Sequence, residues 1–246
     1  QCRDALNIIR STKLSVDISK INGVILAGMG GSSVGADMVA DLLDDSNLPI
    51  LTWRDYDLPS WVNQDTLVVV TSYSGDTDEA LSVFRESIKR GSKIVAITNG
   101  GQLLKLCRSN NVPVVVMSYE GEPRTTVGYS FICLLGVLQI LGLTKSRERE
   151  LNEAILLLDS LSPIYNKMSQ SNQNPAKILA TDLYGKFSIV YGAGFLKGVA
   201  RRWKTQINEN SKSLAFSESF PDLNHNSVVG FAFPEIVREK AIVLLL

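Results

Sequence analysis

Two short stretches in the first third of the chain combine glycine with hydroxyl side chains. Residues 28–35 read GMGGSSVG, and residues 72–77 read SYSGDT. Glycine lets backbone N–H groups come close to a ligand, and serine and threonine hydroxyls donate hydrogen bonds to anions. Each stretch follows an apolar run and precedes a helical pattern, so the positive end of a helix would also face the ligand. The two stretches predict a site for a phosphate group.

Other interpretations of residues 28–35 can be weighed from the residue types. A P-loop requires Lys and then Ser or Thr after its last glycine, but Ala36 and Asp37 follow, so we exclude it. A dinucleotide-binding GxGxxG turn requires glycine at the position of Ser33, although Asp55 lies near the spacing of a ribose-binding acid. This alternative stays open, as does a tight turn that binds nothing.

The second stretch also has a purely structural alternative. Ser, Asp and Thr are all good N-caps, so residues 72–77 could simply begin a helix. The carboxyl ends of neighbouring parallel strands lie at one sheet edge, where ligands bind in this class of fold. The presence of two such stretches in one sheet therefore favours the ligand. Neither stretch contains a lysine, so hydroxyls and helix N-termini would have to hold the anion.

The elements around these stretches alternate regularly. Continuous apolar runs at 23–27, 67–71, 93–98 and 112–117 predict strands, and helical patterns lie at 34–43 and 77–90. Apolar strands without polar alternation, separated by helices, are typical of a parallel sheet covered on both faces. A buried helix is predicted at 127–143. We therefore predict a doubly wound α/β domain over residues 1–145.

The pattern restarts in the second half of the chain. A charged amphipathic helix at about 146–161 and the polar segment 169–175 predict a connecting region over residues 146–180. A strand at 187–191, a Gly-Ala-Gly turn and a helix to about 208 then repeat the earlier order. We predict a second α/β domain over 181–246. Its last run, 241–246, is typical of a buried strand, so we expect a fragment that is trimmed at the C-terminus and also at the N-terminus.

Composition narrows the function classes. With 25 basic and 25 acidic residues the net charge is zero, which does not favour binding to nucleic acid or to an anionic membrane. The apolar run at 127–143 is shorter than the ~20 residues of a membrane span. Three scattered cysteines without a CxxC motif fit a reducing cytoplasm. A single histidine, His225, argues against a zinc site, so no metal is expected.

Further motifs carry a family resemblance. The first two stretches look like those of the sugar isomerase (SIS) domain. Downstream follow RDYDLP at 54–59, EPR at 122–124, RRWK at 201–204, NENSK at 208–212 and LNHN at 223–226. In this order the motifs resemble the bifunctional phosphoglucose/phosphomannose isomerases of the phosphoglucose isomerase superfamily, over essentially the whole chain. The resemblance implies two SIS-type α/β domains, the second incomplete here.

The resemblance also implies an activity and residue roles. It implies a cytoplasmic, cofactor-free isomerase that interconverts fructose 6-phosphate with glucose 6-phosphate and mannose 6-phosphate through an enediolate. Glu209 would be the base, Arg124 would lie over the enediolate, and His225 would help to open the sugar ring from the neighbouring subunit of a homodimer. The residues implied for the 6-phosphate are Gly31, Ser32, Ser72, Ser74 and Thr77. Such proton transfer needs a carboxylate and a cation, and no redox cofactor.

The sequence departs from the family pattern at two points, and several of its residues have alternative interpretations. The family usually has Glu where this chain has Asp222, and the family's lysine on its last helix has no counterpart here. Glu209 could instead be a surface acid paired with Lys212 three residues on, and Arg124 an ordinary surface charge. A non-catalytic phosphosugar-binding regulator would need the hydroxyls but not Glu209. A nucleotide-binding oxidoreductase would use the glycines at 28–30 or 192–194.

Overall fold

The computed structural model describes residues 1–43 and 46–246. Contacts between residues divide the chain into two units, Gln1–Lys145 and Ser146–Leu246. Each unit has its own parallel sheet, of five strands in the first and three in the second. No helix within the described residues is long and apolar enough to cross a membrane.

The sheet of the first unit has the strand order β2-β1-β3-β4-β5. Its strands are β1 (Gly23–Gly28), β2 (Ile50–Trp53), β3 (Thr66–Ser72), β4 (Lys93–Thr98) and β5 (Val114–Val116). The central strands β1 and β3 are buried along their whole length, as their continuous apolar sequences predict. Gly28 pairs with Thr71, so the two strands end level with each other. The two polar stretches therefore leave the sheet side by side.

Helices cover both faces of this sheet. They are α1 (Cys2–Ser11), α2 (Gly30–Leu42), α3 (Asp78–Arg90), α4 (Gly101–Ser109) and α5 (Val127–Ile140). Phe84 of α3 and Leu103 of α4 pack in one core cluster with strand residues such as Val68. On the opposite face α2 lies against β1 and β3, and α5 packs on α2. The predicted doubly wound arrangement is confirmed.

The second unit is built around three parallel strands in the order β7-β6-β8. These are β6 (Phe187–Gly192), β7 (Ala215–Ser219) and β8 (Ala241–Leu245), and the helices are α6 (Glu148–Leu161), α7 (Pro175–Leu183), α8 (Lys197–Gln206) and α9 (Glu235–Lys240). Helix α8 packs on β6 and β7. Strand β8 is present, but the prediction that it is buried is wrong: Leu245 is 69% exposed. Among the described residues it is an edge strand that pairs with β6 alone.

Two other details differ from the sequence-based expectation. Strand β2 was not predicted, because it is a four-residue edge strand that is only partly buried. Helix α2 begins at Gly30, four residues earlier than predicted, so the glycine- and serine-rich stretch forms its first turn. Glycine has a low helix propensity, but tertiary packing overrides it. A Cβ at Gly35 would lie 2.6 Å from the Ser130 hydroxyl of α5, so glycine permits this close approach of the two helices.

Candidate active site

The first polar stretch is shaped by the beginning of α2. Met29 is the N-cap in extended conformation, and Gly31 and Ser32 lie in the first helical turn, where the N–H of Ser32 donates to the carbonyl of Met29 at 3.0 Å. The two serines differ in their bonds. Ser33 donates its hydroxyl to the carbonyl of Gly30 at 2.9 Å, whereas the Ser32 hydroxyl accepts from the backbone N–H of Tyr73 at 3.3 Å. Ser32 thus joins the first stretch to the second.

The second polar stretch folds back on itself after β3. The Ser72 hydroxyl accepts from the N–H of Gly75 at 3.1 Å and donates to the Thr77 hydroxyl at 3.0 Å. The Ser74 hydroxyl accepts from the N–H of Asp76 at 3.2 Å, and Thr77 is the N-cap of α3. Gly75 has a φ of +76°, and a Cβ there would lie 1.9 Å from the carbonyl oxygen of Gly100. Only glycine fits this turn.

The hydroxyls of Ser32, Ser74 and Thr77 share one chemical property. Each accepts a hydrogen bond, and none donates one to another residue in the described part of the chain. A hydroxyl carries one donor hydrogen in addition to its lone pairs. Three hydrogens therefore remain for a ligand, beside the N-termini of α2 and α3. Ser72 uses its own hydrogen on Thr77, so its part in the group is to orient that hydroxyl.

Arg124 lies next to the first turn of α2. It belongs to the 3₁₀ turn Pro123–Thr125. A Cβ at Gly31 would lie 2.5 Å from the carbonyl oxygen of Pro123 and 3.4 Å from the backbone N of Arg124. The guanidinium of Arg124 bonds to the carboxylate of Glu122 at 3.0 Å and is 34% exposed. Six of the eight residues implied by the resemblance are thus linked within the first unit.

Glu209 lies in the second unit, on a distorted continuation of α8. Residues Ile207–Ser211 form a π-helical turn, a rare conformation that occurs often at functional sites. The Asn208 side chain ties this turn to β7, because it accepts from the N–H of Ala215 at 2.8 Å and donates to its carbonyl at 3.5 Å. The Lys212 ammonium donates to the backbone carbonyl of Glu209 rather than to its carboxylate.

A basic residue of α8 interacts electrostatically with Glu209. Arg202 is half-buried. Its burial lowers the pKa of the guanidinium from its usual range, and the negative charge of Glu209 acts in the opposite direction. Because arginine keeps its charge in proteins, the Glu209 carboxylate lies in the field of a permanent cation.

His225 lies at the end of another short turn in the second unit. The 3₁₀ turn Asp222–His225 is anchored by buried Leu223, and the imidazole is exposed. Asp222, the acid that departs from the family pattern, accepts a hydrogen bond from the Asn226 side chain at 3.1 Å. The shorter acid therefore still holds the residue that follows the histidine.

Sequence reasoning did not assign a role to Tyr73, Asn99 or Asn208. Tyr73 and Asn208 stand inside motifs that the sequence singled out, so the signal was their position between predicted site residues. Asn99 directly follows the end of β4, at the same sheet edge as the hydroxyls. The partner of the Tyr73 and Asn99 side chains is distant in sequence, because Tyr119 lies 46 residues from Tyr73 and 20 residues from Asn99.

A cavity of about 580 Å³ lies in the second unit, beside β6 and β7. Its lining includes Phe187, Phe216 and the basic side chain of Arg201. Neither Glu209 nor His225 lines it. Arg201 and Lys204 of the motif at 201–204 line the cavity, whereas the residues implied as the base and the ring-opening group do not.

Comparison with known proteins places the chain in a family. Residues 172–246 match the model of the bacterial phospho-glucose isomerase C-terminal SIS domain. The chain is 37% identical over 237 residues to a bifunctional phosphoglucose/phosphomannose isomerase from Caldicellulosiruptor bescii, a match that covers 96% of this chain and 70% of that protein. The chain belongs to the bifunctional phosphoglucose/phosphomannose isomerase family.

Other matches agree with this membership. The family member from Aquifex aeolicus is 34% identical, with 95% of this chain and 69% of that protein covered. Among solved structures, the C-terminal domain of glucosamine-fructose-6-phosphate aminotransferase from Francisella tularensis has a TM-score of 0.67 at 14% identity, covering all of this chain and 72% of that one. This structural likeness shows the SIS-like fold. The sequence resemblance to the isomerase family is confirmed.

Proposed function

We propose that this protein is a cofactor-free aldose–ketose isomerase that interconverts fructose 6-phosphate with glucose 6-phosphate and mannose 6-phosphate. The observation that carries the proposal is the group of three hydroxyls, on Ser32, Ser74 and Thr77, whose hydrogens are unused among the described residues. They lie at the N-termini of two helices, where backbone dipoles also favour an anion. This combination suits the phosphate of a sugar phosphate, and family relatives carry phosphoglucose and phosphomannose in their names.

In the proposed reaction Glu209 acts as the base. Its carboxylate takes the proton from C2 of the open-chain aldose, and the electron pair of that C–H bond forms the enediolate. Transfer of the O2 proton to O1 and return of the proton to C1 then give fructose 6-phosphate, with the carbonyl at C2. Because C1 and C2 are adjacent, one carboxylate can serve both transfers, and such a positioned base contributes roughly 10²–10⁴-fold. Return of a proton to either face of C2 yields the glucose or the mannose configuration.

Two further side chains complete the proposal. The Arg124 guanidinium would stabilise the negative charge that develops on the enediolate oxygens, a large contribution in many enzymes. His225 would transfer a proton during ring opening, and we propose that it acts on the site of the neighbouring subunit in a homodimer. The exposure of its imidazole supports this role, since the ring is accessible from outside its own unit.

The test follows the proton directly. Purified protein is incubated with fructose 6-phosphate in deuterated water with a metal chelator, and the products are followed by proton NMR. We expect glucose and mannose 6-phosphates that carry deuterium at C2. Glu209→Gln should abolish both, while Glu239→Gln, which removes an exposed carboxylate of the same unit, should not.

A non-catalytic phosphosugar-binding regulator is the second candidate. One observation favours it: the hydroxyl group lies wholly in the first unit and could bind a phosphate without Glu209. Retained binding of fructose 6-phosphate with no product and no deuterium exchange would establish this function instead. A rise in NADH fluorescence on mixing would support the oxidoreductase alternative.

A further inference from the structure

We infer that Tyr73 is a positioning residue, which holds the Arg124 turn against the phosphate-binding hydroxyls through its phenolic hydroxyl. The inference rests on the proposed isomerase function. Tyr73 stands between Ser72 and Ser74 in the second polar stretch. Neither the motifs nor the family resemblance assigned a role to it.

The side chain of Tyr73 reaches the segment that precedes Arg124. Its hydroxyl donates to the carbonyl of Tyr119 at 2.7 Å and accepts from the N–H of Gly121 at 3.2 Å. The amide of Asn99 donates to the same Tyr119 carbonyl at 2.9 Å. The rings of Tyr73 and Tyr119 meet edge to face at 6.3 Å. The hydroxyl is therefore fully used as donor and acceptor, which leaves it no hydrogen for a ligand.

The backbone of Tyr73 belongs to the phosphate-binding group itself. Its N–H donates to the Ser32 hydroxyl at 3.3 Å, and its carbonyl accepts from the N–H of Asn99 at 3.0 Å. The residue thus contacts the first polar stretch through its backbone and the 119–121 segment through its side chain. Removing the phenolic hydroxyl would therefore release the 119–121 segment and leave the backbone contacts with the phosphate-binding group in place.

Arg124 is only three residues beyond Gly121, and the intervening segment is held at both ends. The Tyr73 hydroxyl fixes Gly121, and the close approach of Gly31 fixes the carbonyl of Pro123. These contacts set the distance from the backbone of Arg124 to the hydroxyls. In the proposed reaction that distance matters, because a misplacement of about 1 Å can cost about 10²-fold in rate.

The test is a double-mutant cycle on the purified protein. Tyr73→Phe removes only the hydroxyl, and Tyr184→Phe removes a hydroxyl from a ring that is 88% exposed in the second unit. We expect Tyr73→Phe to lower kcat for fructose 6-phosphate by at least about tenfold, with the inhibition constant of inorganic phosphate unchanged. Tyr184→Phe should match the wild type in both measurements.

The second arm separates positioning from general stability. Arg124→Lys keeps a cation but loses the guanidinium geometry, and we expect it to retain measurable activity. If Tyr73 acts through Arg124, Tyr73→Phe should cost much less in the Arg124→Lys background than alone. An equal loss in both backgrounds, a parallel loss of phosphate inhibition, or an unchanged kcat would overturn the inference. A wild-type protein that does not isomerise would overturn the proposed function itself, and the inference with it.

Discussion

Gly31→Ala tests the contact between α2 and the Arg124 turn with a single methyl group. A Cβ at this position would lie 2.5 Å from the carbonyl oxygen of Pro123 and 2.9 Å from its carbon. Both atoms belong to the backbone, so no side-chain rotation can relieve the clash. We expect the turn that carries Arg124 to move away from the phosphate-binding hydroxyls.

The size of the effect follows from these distances. Ordinary van der Waals contact of a Cβ begins at 3.4 Å, so the carbonyl oxygen at 2.5 Å must retreat by about 1 Å. A displacement of that size at a positioning contact costs about 10²-fold in rate, which corresponds to about 2.7 kcal/mol of transition-state stabilisation. Overpacking lowers the free energy of unfolding by about 1–3 kcal/mol, and alanine in place of glycine in a helix returns up to about 1 kcal/mol.

Gly35→Ala is the matched control, since it adds the same methyl group to the same helix. Its Cβ would lie 2.6 Å from the Ser130 hydroxyl and 2.8 Å from the Ser130 carbonyl carbon. That contact is between α2 and α5, away from the Arg124 turn. We expect a similar loss of stability, with kcat/KM close to the wild-type value for the folded protein.

The assay measures kcat/KM for fructose 6-phosphate together with the urea midpoint of each variant. The reasoning predicts a large activity loss for Gly31→Ala and a small one for Gly35→Ala, at comparable stability. If Gly31→Ala retained activity within about threefold of the wild type, the close approach at Pro123 would not position Arg124. Equal activity losses in both variants would show that the effect comes from the packing of α2.

Two further predictions concern the second unit and the core of the first. Asn208→Ala should lower the free energy of unfolding by about 1–3 kcal/mol, because it leaves the buried backbone of Ala215 without its side-chain partner. In steady-state kinetics of the same variant, we expect a larger change in kcat than in KM. Burial raises the pKa of Cys107 to about 11 and that of Cys133 to about 12, so both thiols stay protonated in the folded protein. Thiols of the unfolded chain ionise near pH 9. The contribution of the two buried thiols to the free energy of unfolding is therefore complete below that pH, and it is lost progressively as the pH rises towards 11 and 12. Urea unfolding as a function of pH should show this decline, and alkylation of the native protein at neutral pH should modify Cys2 alone. Rapid alkylation of the buried thiols, or a stability that does not fall above pH 9, would contradict this prediction.

The central strands were predictable because a strand that is buried on both faces has a continuous apolar sequence. Strands β1, β3 and β4 consist almost entirely of apolar and β-branched residues, and such short continuous runs are typical of strands in the middle of a parallel sheet. At the sheet edges the sequence was a poorer guide to burial. Strand β2 is only partly buried, and β8 has an apolar sequence but an exposed edge. Burial at an edge depends on neighbours that lie elsewhere in the chain.

The two helices next to the site also differ in how well the sequence predicts where they begin and end. Helix α3 is preceded by its N-cap Thr77 and followed by its C-cap Gly91, which has the left-handed conformation, and both signals are local. The first turn of α2 consists of residues with low helix propensity, and the sequence alone predicted a loop there. Its helical conformation depends on packing against α5, which is nearly a hundred residues away in sequence.

The α/β class, the order of the motifs, and the hydroxyl-rich turns at the ends of β1 and β3 could all be predicted from the residues alone. These features depend on residue types over short segments, where local preference and burial act directly. Which hydroxyls keep a hydrogen for a ligand depends instead on the folded arrangement. Ser32 and Ser33 are the same residue type in adjacent positions, yet one bonds within its helix and the other meets Tyr73. Hydrogen-bond partners distant in sequence are chosen by the fold, because they become neighbours only after the strands and helices have packed together.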